Sequence, residues 1–393
     1  MKVLVTHIDF NAYFPIRLNH FQNYLEQRGH ELYIIETLGK AVLYSFSNVK
    51  KDGLNIECLL PNESYNSVSA SLIDKQLTTR LNHINPDVII AGPIAFPPSA
   101  TSIRWAKKNK KSVVIFDNAH KDTFPRGRIT TWVKKSIYRN VDAFLCPSPS
   151  YDETMKYWGF TNKQIFYGLN VTDNEFWSEK VSGDSFSYLP NQYFLTVGRQ
   201  VPFKNLNNLI DAYSKYRDKG GKTPLVMVGE GPSHDELLER SKLIENIIFL
   251  PFQTYEKIRE VFVKAQSLFL PSLKTETWGL IVNEAMAAGV IVAVSNECGC
   301  HETLVKDNGY LFNPHDCDEI ASTMFKIDKL SNEEKANKKK IGHDIISQWD
   351  LNRFSEGAYA AITYSVAHKK KRRLLDSFIV DLWKGKLKKQ QGC

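Results

Sequence analysis

Cysteine is scarce in this chain: six of 393 residues, at Cys58, Cys146, Cys298, Cys300, Cys317 and Cys393. So sparse and irregular a set excludes a disulfide scaffold and points to a reducing compartment. Cys298, Cys300, His301, His315 and Cys317 lack the closely paired cysteines of structural zinc, so these thiols are expected to be buried or in loops, and no metal site is expected. No apolar run approaches the roughly 20 residues of a membrane-spanning helix. The start, MKVLVTHIDF, lacks the basic segment, apolar stretch and small-residue site of an export signal. It reads as a first strand, and the expected location is the cytoplasm. Charge of one sign is also missing from most of the molecule. The net charge is +8, but residues 369–393 hold nine Lys/Arg against two Asp/Glu, which leaves only +1 for everything else. A nearly neutral body excludes a broad nucleic-acid surface.

What is present is alternation. Short apolar runs at Lys2–Thr6, Leu32–Glu36, Val88–Ala91, Ser112–Phe116 and Ala143–Cys146 are separated by amphipathic stretches such as Arg17–Arg28, Thr101–Lys108 and Ile129–Arg139. The scheme repeats at Tyr193–Val197, Leu225–Val228, Ile247–Leu250, Ser267–Leu270 and Val290–Val294. Such alternation implies α/β structure with parallel sheets and right-handed crossovers. The length suits two domains, with the turn-rich stretch Asn174–Asn191 as the boundary. The expected organisation is a Rossmann-like domain over 1–175, a second over 190–350, a crossover helix over 351–368 and a basic amphipathic tail over 369–393. Two doubly wound domains would face a cleft lined by loops at the carboxyl ends of their strands.

Three strand-end motifs in the second half carry chemistry. Gly198 and Arg199 follow the run Tyr193–Val197, and Lys204 stands just before the next helix. The glycine permits close backbone approach, and two cations there suit a pyrophosphate whose leaving phosphate gains charge. Gly229 and Gly231, in Val228-Gly229-Glu230-Gly231-Pro232, suit a tight turn with exposed N–H groups, with or without a ligand. Glu276 and Glu284 lie seven residues apart across a loop-to-helix transition. The first N–H groups of that helix, at Gly279, Leu280 and Ile281, form an anion site, and its dipole keeps a nearby carboxylate ionised.

These motifs in this order resemble the group 1 glycosyltransferases, also called family 4, with the GT-B fold. The likeness runs from about Tyr193 to Pro314 and includes Ala285-Met286-Ala287-Ala288-Gly289. It implies a nucleotide-sugar donor, retention of anomeric configuration and no metal or other cofactor. Arg199 and Lys204 would contact phosphate, Glu276 the donor sugar and Glu284 the ribose. Thr277-Trp278-Gly279 stands where the family commonly has Pro-Phe-Gly, a departure that bears on which sugar is carried.

The first half matches less. The loop His7-Ile8-Asp9-Phe10-Asn11-Ala12 stands where the family usually has a glycine pair. At the end of Val113–Phe116, either Asp117 or His120 would take the role of a family histidine near the reacting sugar. Asp316-Cys317-Asp318 looks like a metal motif of a different glycosyltransferase fold but suits a helix start better. In the tail, Leu374, Leu375, Phe378, Ile379, Leu382 and Trp383 fall on one helical face between basic clusters. That composition fits an interfacial helix drawn to an anionic membrane surface, or a helix docked on the first domain. The expected function is therefore a retaining, metal-independent hexosyl transfer to a saccharide or lipid-linked acceptor in cell-surface polysaccharide or glycolipid synthesis, with no nucleic-acid partner. A sugar-nucleotide isomerase of the same fold, or an inactive donor-binding protein, is the alternative.

Overall fold

The computed structural model describes residues 1–40, 53–123, 125–181, 185–370 and 374–386, with only the backbone at Leu374. Ser182, Gly183 and Asp184 of the boundary stretch, the basic residues 371–373, and Lys388, Lys389 and Cys393 lie outside the described residues. The chain divides into two compact units, one of Met1–Val171 with the segment from Leu351, the other of Thr172–Asp350. The division falls ahead of the expected boundary, because Asn174–Ser178 forms a helix of the second unit with Asp173 as its N-cap. Asn174 also donates 2.8 Å to the Ile346 carbonyl, which ties this helix to the end of the second unit.

The first unit holds β1 (Lys2–His7), β2 (Glu31–Leu38), β3 (Ile56–Leu60), β4 (Val88–Ala91), β5 (Ser112–Phe116), β6 (Ala143–Cys146) and β7 (Ile165–Tyr167). They form one parallel sheet ordered β3-β2-β1-β4-β5-β6-β7. The second unit holds β8 (Tyr193–Val197), β9 (Leu225–Val228), β10 (Ile247–Leu250), β11 (Ala265–Leu270), β12 (Ile291–Ser295) and β13 (Gly309–Phe312). Its sheet is also parallel, ordered β10-β9-β8-β11-β12-β13. Each sheet is thus wound in both directions from a central pair, β1/β4 in one and β8/β11 in the other. Central strands such as β4, VIIA, are buried throughout. Helices cover both faces, so these strands read as continuous apolar runs, not as an alternation.

The helix Leu351–Ala367 packs in the first unit. Its Phe354 ring lies 6.0 Å from Phe21, and its Ser355 Oγ lies 2.8 Å from His20 Nδ1. The helix Leu374–Leu382 also docks there, with Asp376 and Val380 buried. Asp316 accepts from the N–H groups of Asp318 and Glu319 and so caps the helix Cys317–Asp328. Among the described residues no helix is long and apolar enough to cross a membrane.

Candidate active site

In a doubly wound sheet the two central strands send their crossovers to opposite faces, which opens a crevice at their carboxyl ends. In the second unit that crevice lies beyond β8 and β11, and the residues singled out in the sequence sit on its two sides. Gly198, at the end of β8, has φ +151°, a conformation that L side chains rarely adopt. Arg199 follows it, and Lys204 closes the short turn Pro202–Lys204. On the other side, the segment after β11 holds Glu276, then Gly279 at φ +93° as the N-cap of the helix Leu280–Ala287. Gly198, Arg199, Lys204, Val228, Leu270 and Pro271 line an open depression of about 260 Å³ at these strand ends.

The two sides meet in an ion pair. The Lys204 ammonium donates to Glu276 Oε2, and both side chains are 16% exposed. Ser272 Oγ lies 3.4 Å from the same oxygen. The segment carrying Glu276 is tied down on both flanks: Leu273 N donates to the Phe203 carbonyl at 2.8 Å, and Gly299 N to the Glu276 carbonyl at 3.0 Å. Glu284 differs in setting. It lies in the second turn of Leu280–Ala287 and is only 2% exposed. Leu280 and Ile281, at the helix mouth, stay partly exposed.

Gly229 and Gly231 serve the packing of one loop on another. The loops after β8 and β9 lie against each other through Gly198 N to Val228 O at 3.0 Å, Gln200 N to Glu230 O at 2.9 Å and Gln200 Nε2 to Gly229 O at 2.7 Å. A Cβ at Gly229 would run into the Gly198 carbonyl, and one at Gly231 into the Gln200 carbonyl. Trp278 is also a packing residue. It is buried, its Nε1 donates to Asn283 Oδ1 at 3.0 Å, and its carbonyl accepts from Cys300 N at 3.1 Å. The departure at Thr277-Trp278-Gly279 therefore puts its large ring into the core of this unit.

In the first unit, Asp117 and His120 both lie in the segment after β5, in different settings. Asp117 is buried, its Oδ1 accepts from Ala119 N at 3.0 Å, and burial raises its carboxyl despite nearby Lys134 and Arg126. That bond shapes the turn. His120 is more open, 34% exposed, with Nδ1 3.5 Å from an Asp122 carboxylate oxygen. His7, at the end of β1, has no place among the site residues expected from the sequence. Its ring stacks on Phe14 and Phe116 at 5.7 and 5.5 Å and meets Phe96 edge-on at 5.6 Å. Burial lowers the imidazole to about 4, so it is neutral. Nδ1 lies 2.9 Å from the Asp9 carbonyl, which only accepts. The proton is therefore on Nδ1, and Nε2 carries the lone pair. The signal for it in the sequence is a histidine at the end of the first apolar run, Lys2–Thr6.

Residues 179–342 match the family model for group 1 glycosyl transferases. An uncharacterized glycosyltransferase of Bacillus subtilis, YqgM, is 30% identical over 119 residues, 30% of this chain and 33% of that protein. The sulfoquinovosyl transferase SQD2 of Arabidopsis thaliana is 22% identical over 343 residues, 80% of this chain and 64% of that one. The chain thus spans less than two thirds of the length of either relative. Among solved structures, HepE of Anabaena in complex with UDP-glucose superposes with a TM-score of 0.69 at 17% identity, over 93% of this chain and 99% of that one. Two doubly wound parallel sheets of this order, on a backbone that follows that structure for nearly its whole length, are the GT-B fold. Within that fold, the stretch similar to the group 1 glycosyl transferases lies inside the second unit.

Proposed function

We propose that this chain transfers a glycosyl group from a nucleotide-sugar donor to a saccharide or lipid-linked acceptor, with retention and without a metal, in the assembly of a cell-surface polysaccharide or glycolipid. The observation that carries the reading is the Lys204–Glu276 pair across the central strands β8 and β11. A cation and a carboxylate held together at a strand-end crevice match the two ends of a sugar diphosphate. On this reading the donor diphosphate draws Lys204 toward itself, beside Arg199 and the helix mouth at Gly279 to Ile281. Glu276 is then released to accept from sugar hydroxyls. The buried Glu284 accepts from ribose hydroxyls, since a carboxylate at that depth is worth most to a ligand that brings donors.

In the reaction the bond between the anomeric carbon and the β-phosphate oxygen breaks, and the acceptor oxygen bonds to the same carbon on the same face. The acceptor proton passes to the leaving phosphate oxygen. Charge grows on that phosphate as the bond breaks, and preorganised cations stabilise it more than they stabilise the bound donor. On the acceptor side, His120 is the residue open enough to meet a hydroxyl, with Asp117 holding its turn. A panel of nucleotide sugars, scored by thermal stabilisation and by slow donor hydrolysis, tests the reading. One donor should raise the unfolding midpoint and be cleaved. No stabilisation by any donor, or equal stabilisation of Arg199→Ala/Lys204→Ala, would overturn it.

A further inference from the structure

The helix Leu374–Leu382 is apolar on two faces, and only one of them is used. Its inner face is anchored in the first unit. Val380 is buried, Asp376 makes a two-pronged pair with Arg139 at 2.8 Å, and Asp381 pairs with Lys107 at 2.6 Å. Just beyond the helix, Trp383 Nε1 donates to the Ile94 carbonyl at 2.9 Å, and Lys386 N donates to the Ala95 carbonyl at 2.7 Å. The outer face is a row of large apolar side chains left in solvent: Leu375 at 61%, Phe378 at 62% and Leu382 at 66% exposure. The helix Arg128–Tyr138, which packs beside it, adds Ile129 at 79% and Trp132 at 47%. A docked helix normally spends its apolar residues on docking. Exposed apolar side chains at helical spacing on two adjacent helices mark an interaction surface.

The charges around this surface choose its partner. Both acids of the outer helix are paired with cations of the body. Lys384 and Lys386 just after it, Lys369 before it and Arg128 at the start of the neighbouring helix are all exposed. Over residues 369–393 the sequence carries nine basic residues against two acidic. A second copy of this chain meeting the same face would bring like charges together. An anionic lipid surface offers the opposite charge and an apolar layer at the depth these side chains reach. We propose that Ile129, Trp132, Leu375, Phe378 and Leu382 form a docking patch for an anionic lipid bilayer. The tail is then neither a loose interfacial helix nor merely a docked one: docking its inner face holds the outer face rigid for the membrane. Binding stands apart from the transferase reading, on which only its use rests, namely delivery of the site to a lipid-linked acceptor.

Because Asp376 and Val380 are buried, removing the tail would damage the fold, so the test changes only the outer face. The full chain is sedimented with vesicles of phosphatidylcholine alone and with about one third phosphatidylglycerol. Wild type should pellet with the anionic vesicles and be released by salt. The triple variant Leu375→Ser/Phe378→Ser/Leu382→Ser should bind roughly a hundredfold more weakly, and Trp132→Ser roughly tenfold. Both should keep the wild-type unfolding midpoint and donor hydrolysis. Equal pelleting of wild type and triple variant would overturn the proposal. So would wild type that ignores vesicles, or that self-associates through this face while the triple variant stays monomeric. Loss of donor hydrolysis throughout, with vesicle binding intact, would instead count against the transferase reading alone.

Discussion

The two units share a winding scheme and differ in what they place at the reversal of strand order. In the second unit, β8 leads into Gly198 and Arg199, and the loops there carry an ion pair between Lys204 and Glu276. In the first, β1 ends in His7, whose neutral ring is enclosed by Phe10, Phe14, Phe96 and Phe116. Even the glycines differ in purpose. Gly229 lets one backbone approach another, whereas Gly92, after β4, makes room for the His7 ring. The same topology thus yields a charged, partly open crevice in one unit and an aromatic, nearly closed one in the other. Winding only positions the loops; whether they receive a phosphate depends on the few residues they carry.

The sharpest way to break this comparison is to remove charge from one side and polarity from the other. On the proposed reading, in which these groups stabilise developing charge and hold the sugar, Lys204→Ala or Glu276→Ala should each lower transfer by about 10²–10³-fold. His7→Asn should leave donor-induced stabilisation unchanged. Steady-state rates and thermal shifts check both, and a donor response that depended on His7 would end the division of labour.

The glycines come next. Gly229→Ala combines a φ of +128° with a collision against the Gly198 carbonyl, and should cost about 3 kcal/mol in urea unfolding. Gly92→Ala collides only with the His7 ring, and should cost about 1–2 kcal/mol. Adding His7→Ala should return part of that loss, so a double-mutant cycle would give a coupling for Gly92 with His7. No side-chain replacement should rescue Gly229→Ala, because its obstacle is backbone.

The smallest effect is in pH. His7 titrates near 4 in the folded chain and near 6.5 when unfolded. Below 4 both states are protonated, and above 6.5 neither is. Between these values only the unfolded chain takes up the proton, so stability is lost as pH falls through this window. His7→Asn keeps an N–H for the Asp9 carbonyl and should flatten this part of the profile of unfolding midpoint against pH. An unchanged slope would place the acid sensitivity elsewhere.

The strands were legible wherever both faces are buried. Val88–Ala91, Ser112–Phe116, Tyr193–Val197 and Leu225–Val228 have the same limits in sequence and structure. The strands not foreseen are β3, β7 and β13, all at sheet edges. They are largely half-buried, so their apolar runs are diluted by residues such as Glu57 and Gly309. The edge strand β10 was legible because Ile247-Ile248-Phe249-Leu250 is apolar throughout. Turn-like composition over Asn174–Asn191 does not reveal that Asp173 starts a helix of the second unit.

The sequence by itself determined the α/β alternation, the order of the strand-end motifs and the concentration of charge in the tail. These follow from local polarity and from backbone chemistry that acts over a few residues. Only the tertiary structure decided that Lys204 meets Glu276, 72 residues away in sequence. It also decided that Trp278 and Glu284 are buried, and which face of Leu374–Leu382 is spent on docking. Each depends on which strands and helices become neighbours. That choice is made by packing the whole core, and no local pattern encodes it.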